Sequence, residues 1–381
     1  MNIDRIRDAV DAPTPAPLHQ KLRDAIFEQI SDGTLKAGDT LPGERAMKEH
    51  FGVSRATVRQ AVTSLIQEGY LQSVAGTGTF VLEQSRKMSS AGLIGLITSS
   101  PNFNFFYPQL AASFNDRIRS AGYGLVMSLH SENADTLGQI TDELLAQNVV
   151  GLAITPPRYG DITPILNRLR RQKIPVVLIG RNAQYNADVV ATDNESIGYA
   201  ATRYLIEKGH EHIAFFGLMD YSTGQERAKG YQQALDEASL PPHIVQIHET
   251  VDTNNHNQAG APREHLVPPA QDAAYQTWGR DDGIPEPTAA FCFNDITAMG
   301  VYKALRTLKR RIPEDVSLVS VDNLITVRHF EVPLTTFALP GQEIGVRSAE
   351  ILLRRLSGDA APAQTVLLPA EFIERDSAAR R

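Results

Sequence analysis

One cysteine, Cys292, is the only thiol in 381 residues. A single thiol excludes an internal disulfide framework and any multi-cysteine zinc site. Its place in the apolar run from Ala289 to Phe293 suits a small buried hydrophobe. No stretch of about 18 apolar residues occurs, so no helical membrane span is expected. No charged start leads into an apolar run and a small-residue cleavage site, and the chain is expected in the cytoplasm. Positive charge is also scarce, with 37 Lys+Arg against 44 Asp+Glu and a net charge of −7. That excludes indiscriminate binding of nucleic acid by the whole surface, because phosphate attraction needs positive potential at the contact. A nucleophile elbow, a phosphate-cradling loop and an HExxH motif are all missing, and "GTGTF" lacks the strand, loop and helix setting of a nucleotide fingerprint. No catalytic activity, cofactor or metal is therefore expected. What is present is ordinary for a folded protein: 42% hydrophobic and 21% charged residues, at a length that suits two or three domains.

The start of the chain differs from the rest. Pro13, Pro15 and Pro17 mark residues 1–16 as a flexible arm ending at a proline-opened helix. Leu18, Leu22, Ala25, Ile26 and Ile30 then recur at helical spacing, and Gly33 ends the run. A short helix is predicted from Gly43 to Phe51, closed by Gly52, and a third from Ser54 to Gln67 with Ser54 as N-cap. Two extended pieces, "YLQSV" and "TFVLE", flank "AGTG" as a hairpin. Although residues 1–83 carry nine Lys/Arg against eleven Asp/Glu, Arg45, Lys48, Arg55 and Arg59 face only Glu49 within residues 45–59.

Arg55, Arg59 and Thr63 follow one another at four-residue intervals, forming one helical stripe beside the apolar face. A short helix, a turn at "GVS" and this helix have the logic of a helix-turn-helix, whose second helix offers guanidinium forks to guanine edges in the major groove. The same periodicity is compatible with an amphipathic helix whose arginines are simply solvated. "LPGERAMKEHFGVSRATVRQAVTSLIQEGYLQSVAGTGTFV" closely resembles the GntR-type winged helix-turn-helix over residues 17–82. The resemblance implies that Arg45, Ser54, Arg55, Thr57 and Arg59 contact DNA, and that Gly76 and Thr77 at the wing tip reach a neighbouring groove or phosphate. Ala56 departs from the pattern, which often has a hydroxylated residue there.

Residues 84–91 read as a linker, and beyond them the pattern changes. Apolar runs of strand length, among them "LIGLIT", "VVGLAIT", "PVVLIG", "HIAFFG", "AAFCFN" and "VSLVSV", alternate with helical stretches. Such alternation predicts a parallel sheet covered on both faces, and about 290 residues of it suggest two doubly wound α/β halves. Residues 252–270, polar and rich in Pro and Gly, are expected to form an irregular excursion or lid.

In such folds ligands bind at the carboxyl ends of the strands, so polar residues directly after apolar runs are the candidates. These are Asn102 to Tyr107, Arg181, Asp193, Asn194, Arg227, Asn294, Asp295 and Asp322. Amide, carboxylate and guanidinium groups between aromatic rings suit a sugar, whose hydroxyls both donate and accept while its C–H face packs on rings. Asp193 and Asp295 also sit where helix N-caps are found, and Phe103, Phe105 and Phe106 could equally belong to a core. His210 and His212 have a metal-like spacing without a third ligand nearby, and a turn leading into a strand accounts for them.

"DNESIGYAATRYLIEKGHEHIAFFG", "RAKGYQQAL", "PTAAFCFNDITAMGVYKAL", "IPEDVSLVSVDN" and "PLTTF" resemble, in that order, the LacI/GalR-type effector domain, itself similar to periplasmic sugar-binding proteins. The resemblance covers most of residues 92–376. It implies that Arg227, Asn294 and Asp322 hold ligand hydroxyls, with Phe103, Phe106, Tyr107 and Arg181 closing the pocket. Ser320, Asn323 and Leu339 depart from the usual pattern. The combination of head and body resembles the arabinose-responsive repressors of the GntR family. The expected function is that of a homodimeric repressor of carbohydrate-use genes that binds a pseudo-palindromic operator with an affinity controlled by a small sugar. Activation by ligand, or sugar delivery without regulation, are the rival readings. The DNA-reading head and the absent leader weigh against the second.

Overall fold

Ile3, Ile6 and Val10 recur at helical spacing, and they build α1 (Ile3–Asp11) where a flexible arm was expected. Burial explains the difference: Ile6 is fully buried and Val10 nearly so in the core of the first unit. The structure, a computed structural model, describes residues 2–11, 17–67, 70–74, 78–82, 92–99, 106–181, 185–248, 266–279 and 285–381. It divides into two units between Met88 and Ser89.

The first unit continues with α2 (Leu18–Ser31), β1 (Thr40–Leu41), α3 (Glu44–Phe51), α4 (Arg55–Gln67), β2 (Leu71–Val74) and β3 (Gly78–Val81). β3 pairs antiparallel with β2 on one side and β1 on the other. Leu22, Ile26, Met47, Phe51, Val58, Leu65 and Leu71 form the core under this sheet. α1 is tied to α2 by reciprocal hydrogen bonds between Asn2 and Gln29, and Arg7 donates to the His50 carbonyl at the end of α3. Removing a buried branched side chain costs its transfer energy plus a cavity. Ile6→Ala is therefore expected to destabilise this unit by about 2–4 kcal/mol, read as an earlier urea midpoint for its helical signal.

In the second unit most parallel strands lead into a helix that covers the sheet. The first lobe contains β4 (Leu93–Ser99), α5 (Phe106–Ser120), β5 (Gly124–His130), α6 (Ala134–Ala146), β6 (Val149–Ile154), α7 (Thr163–Arg171), β7 (Val176–Ile179) and β8 (Asp188–Thr192), with β7 passing directly to β8. The chain then crosses to the second lobe: α8 (Asn194–Glu207), β9 (Ile213–Gly217), α9 (Ser222–Glu237), β10 (His243–Gln246), α10 (Val267–Trp278), β11 (Ala289–Cys292), α11 (Asp295–Thr307), β12 (Ser317–Val321), α12 (Ile325–Arg328) and β13 (Thr335–Ala338). It returns through α13 (Gly341–Leu356) and β14 (Thr365–Leu368), and crosses a third time to β15 (Glu371–Ile373).

The sheet orders are β14-β8-β7-β6-β4-β5 and β10-β9-β11-β12-β13-β15. All neighbours are parallel except β13 and β15. Residues 252–265 of the expected excursion lie outside the described residues. Its last residues are instead the start of α10, because Pro268 and Pro269 fall at the first helical positions, where a missing N–H costs nothing, and Ala270 is buried. His210 joins strands: its ring nitrogens meet Thr288 Oγ1 and Ser317 Oγ, each at 3.0 Å.

Candidate functional site

The first unit presents a helix pair joined by a tight turn. Gly52 ends α3 with φ 65°, a left-handed conformation that favours glycine. Ser54 Oγ then accepts from the Thr57 amide at 3.1 Å, satisfying a first-turn donor of α4. Val58, Ala61 and Leu65 face the core, which leaves Ser54, Arg55, Arg59 and Thr63 exposed along one side, with Thr57 half-buried. The arginines are not equivalent. Arg59 is bidentate to Glu44 at 3.1 and 3.0 Å, and this bonding holds the Glu44 carboxyl below its usual range. Arg45 lies 3.3 Å from Glu49. Arg55 has no ion-pair or hydrogen-bond partner among the described residues. Gly76 and Thr77 lie outside the described residues.

In the second unit a cleft of about 590 Å³, counting the space open to solvent at its mouth, lies at the carboxyl ends of the strands of both lobes. Phe106, Tyr107, Arg181, Arg227, Asn294 and Asp322 all line it, with Thr192, Asn194, Tyr221, Thr223, Phe293 and Leu339. Phe103 lies outside the described residues. Asp193 caps α8, accepting from the Ser196 amide at 2.9 Å.

Two glycines place the central guanidinium. A Cβ on Gly198 would stand 2.0 Å from the Arg227 carbonyl oxygen, and one on Gly230 would stand 1.9 Å from that of Glu195. Only glycine lets α8 and α9 approach this closely. The approach brings Arg227 Nε within 3.0 Å of Asn194 Oδ1. Arg227 Nη1 also donates to the Phe293 carbonyl, and the guanidinium stands 4.8 Å from the centre of the Phe293 ring. Arg227 is only 4% exposed, so its orientation is fixed before any ligand arrives.

Asn294 caps α11 through Oδ1, which accepts from the Thr297 amide at 2.8 Å. Its buried Nδ2 has no partner among the described residues, a donor in the cleft wall that a ligand oxygen would satisfy. Asp322 takes φ 115°, a conformation L-residues rarely adopt. Such strain, of order 1–3 kcal/mol, persists where surrounding structure imposes it and gathers at binding sites. Arg181 is bidentate to Glu132 at 2.8 and 2.7 Å. Burial opposes its charge, but the carboxylate more than offsets this and raises its pKa.

Asp295 departs from its expected place. It does not line the cleft; it is fully buried beneath it. Its carboxylate accepts from Ser320 Oγ, from the Leu324 amide at 2.6 Å and from Thr336 Oγ1 at 2.9 Å. It is a strut for the loop carrying Asp322. Burial, then the neighbouring Asp322, pushes its pKa up to about 7. An acid whose pKa is raised on folding loses stabilising effect as pH climbs from its unfolded value near 4 toward 7. The thermal midpoint of wild type relative to Asp295→Asn should therefore fall between pH 5 and pH 8, and a pH-independent difference would contradict this assignment.

Glu132, Tyr221 and Phe293 escape the reading from sequence. Tyr221 and Phe293 follow β9 and β11, where the strand-end rule could have found them. Glu132 also lies just past a strand, β5, but its pairing with Arg181, 49 positions away, is visible only in the structure.

Two family patterns match parts of the chain. The pattern of bacterial regulatory proteins of the gntR family matches residues 18–81, and that of a periplasmic binding protein-like domain matches residues 202–378. An arabinose metabolism transcriptional repressor of Geobacillus stearothermophilus is 27% identical over 348 residues, spanning 89% of this chain and 91% of that protein. The HTH-type transcriptional repressor PurR of Vibrio atlanticus is 27% identical over 86% of this chain and 95% of its own length. A LacI family transcriptional regulator from Enterococcus faecium, solved with bound ribose, superposes with a TM-score of 0.61 at 23% identity, covering 76% of this chain and 99% of that one. The last likeness concerns the fold.

Proposed function

Since this chain is a transcriptional regulator that joins a GntR-type DNA-binding head to a periplasmic-binding-protein-like domain, we propose that it is a dimeric repressor of carbohydrate-use genes whose operator affinity is set by a small neutral sugar. The observation that carries this is the cleft's charge balance. Of its charged lining groups, Arg181 is neutralised by Glu132, and Arg227 is matched in number by Asp322. A buried site without net charge favours an uncharged ligand, because an added phosphate would be desolvated without a compensating cation. The aromatic rings of Phe106, Tyr107, Tyr221 and Phe293 offer faces for a sugar's C–H surface, and the arabinose and ribose named for similar proteins are sugars of this kind.

A single winged helix makes few contacts, so two linked heads supply operator affinity through effective concentration. The edge strand β5 exposes Met127 and Leu129, apolar area that a second copy would cover. Ligand closure of the lobes would then alter the spacing of the two heads.

Thermal-shift titration tests the reading. L-arabinose or D-ribose at about 100 times its dissociation constant should add about 2.7 kcal/mol of stability, which is roughly 4–5 °C for a domain of about 290 residues. Their 5-phosphates should shift the midpoint by less than about 1 °C. A larger shift from the phosphates would overturn the charge argument. Failure of every sugar to move the midpoint or release the operator would overturn the proposal.

A further inference from the structure

Arg158 lies outside the cleft lining and yet reaches from one lobe to the other. It follows β6 in the segment Thr155, Pro156, Pro157, Arg158, whose two prolines restrict the backbone. The Arg158 amide donates to Glu132 Oε2 at 2.9 Å, and the Pro156 carbonyl accepts from Arg181 Nη1 at 2.6 Å. From this base the Arg158 guanidinium donates to Asp220 Oδ2 at 3.2 Å. It also stands 4.2 Å from the centre of the Tyr221 ring and 4.8 Å from that of Tyr159. Asp220 and Tyr221 follow β9 of the second lobe, whereas Tyr159 belongs to the first. The Arg158 side chain is 7% exposed while Asp220 is about half exposed, so the stacking on Tyr221 is largely dry and the ion pair is only partly shielded from solvent.

We infer that Arg158 is a positioning residue that latches the two lobes together, in step with the ligand-facing Arg181. Glu132 makes the connection: one carboxylate holds both nitrogens of the Arg181 fork and the Arg158 backbone. A ligand that pulls on Arg181 therefore pulls on the base of the latch. Arg181 and Tyr221 line both the cleft and a second cavity that also includes Arg158, Asp220, Glu226 and Lys229, which puts the latch at the cleft's edge. The latch raises the fraction of closed molecules before ligand arrives, and apparent affinity scales with that fraction. The inference rests on the cleft being the ligand site, but its first test needs no ligand.

Spin labels on Gln139→Cys in α6 and Gln232→Cys in α9, both exposed positions, report the separation of the lobes in the full chain. Labelled protein is diluted with unlabelled chain so that only distances within one chain are read. In sugar-free protein, Arg158→Ala and Asp220→Ala should each shift the distribution to longer separations, while Arg158→Lys, which keeps the ion pair but not the planar stacking, should fall between. Calorimetry with L-arabinose should show affinity reduced about tenfold in Arg158→Ala, with a smaller, intermediate reduction in Arg158→Lys. Distance distributions identical to wild type in both alanine variants would overturn the latch. If wild type ignores L-arabinose and the other sugars tested, and the sugar-free distances lengthen as expected, the latch stands and the sugar reading fails.

Discussion

Arg227→Ala is expected to abolish the response to sugar while leaving sugar-free operator binding within about threefold of wild type. The guanidinium is the hub of the cleft, bonded to Asn194 Oδ1 and to the Phe293 carbonyl and lying against the Phe293 ring. Its loss leaves two buried acceptors unsatisfied, each costing about 1–3 kcal/mol, and removes the donors that a ligand oxygen would meet. Sugar affinity should fall by roughly 100-fold or more, since 1.4 kcal/mol is a factor of ten. Arg227→Lys should fail nearly as badly, because an ammonium cannot reproduce the planar fork. Titration calorimetry and a gel-shift induction curve measure the two halves of the expectation. An unchanged induction curve would remove Arg227 from the ligand site.

Arg55→Ala should produce the complementary defect, a loss of operator affinity of roughly 10- to 100-fold with sugar binding intact. Arg55 is the stripe arginine that must abandon no partner among the described residues to meet DNA, whereas Arg59 must leave or share Glu44. A good bidentate contact to guanine contributes about 1–3 kcal/mol of discrimination. If Arg55 reads a base, the variant should also relax preference at one operator position. If it meets phosphate, the salt slope should drop by about one. Arg59→Ala should lose less, because the Glu44 ion pair has to be exchanged. Equal operator affinity for Arg55→Ala and wild type would end the assignment of α4 as the reading helix.

Much of this arrangement is legible in the sequence. Apolar runs bounded by polar residues mark the inner strands, and the residues just past them, Arg181, Asn194, Asn294 and Asp322, do line one cleft. The rule works because a parallel sheet delivers every strand's end to the same edge. It fails for Asp295, one residue beyond a strand-end asparagine. There the helical turn rotates the side chain away from the cleft into the layer below, where three donors take its oxygens. α1 was concealed by the prolines that follow it, and its three apolar residues acquire meaning only against the core they join. Glu132 and Arg158 act through partners 49 and 62 positions away, and no local pattern carries such a pairing.

The threefold crossing between the lobes has a consequence for biosynthesis. The head is complete by residue 82, so it can acquire its tertiary structure while most of the polypeptide is still unmade. The first lobe cannot: α13 packs on α5, and the edge strand β14 joins β8 only after residue 368 has emerged. A nascent chain thus passes through a long interval in which a finished DNA-binding head is tethered to an unfinished second unit, and a ribosome that stops early would release the head without it.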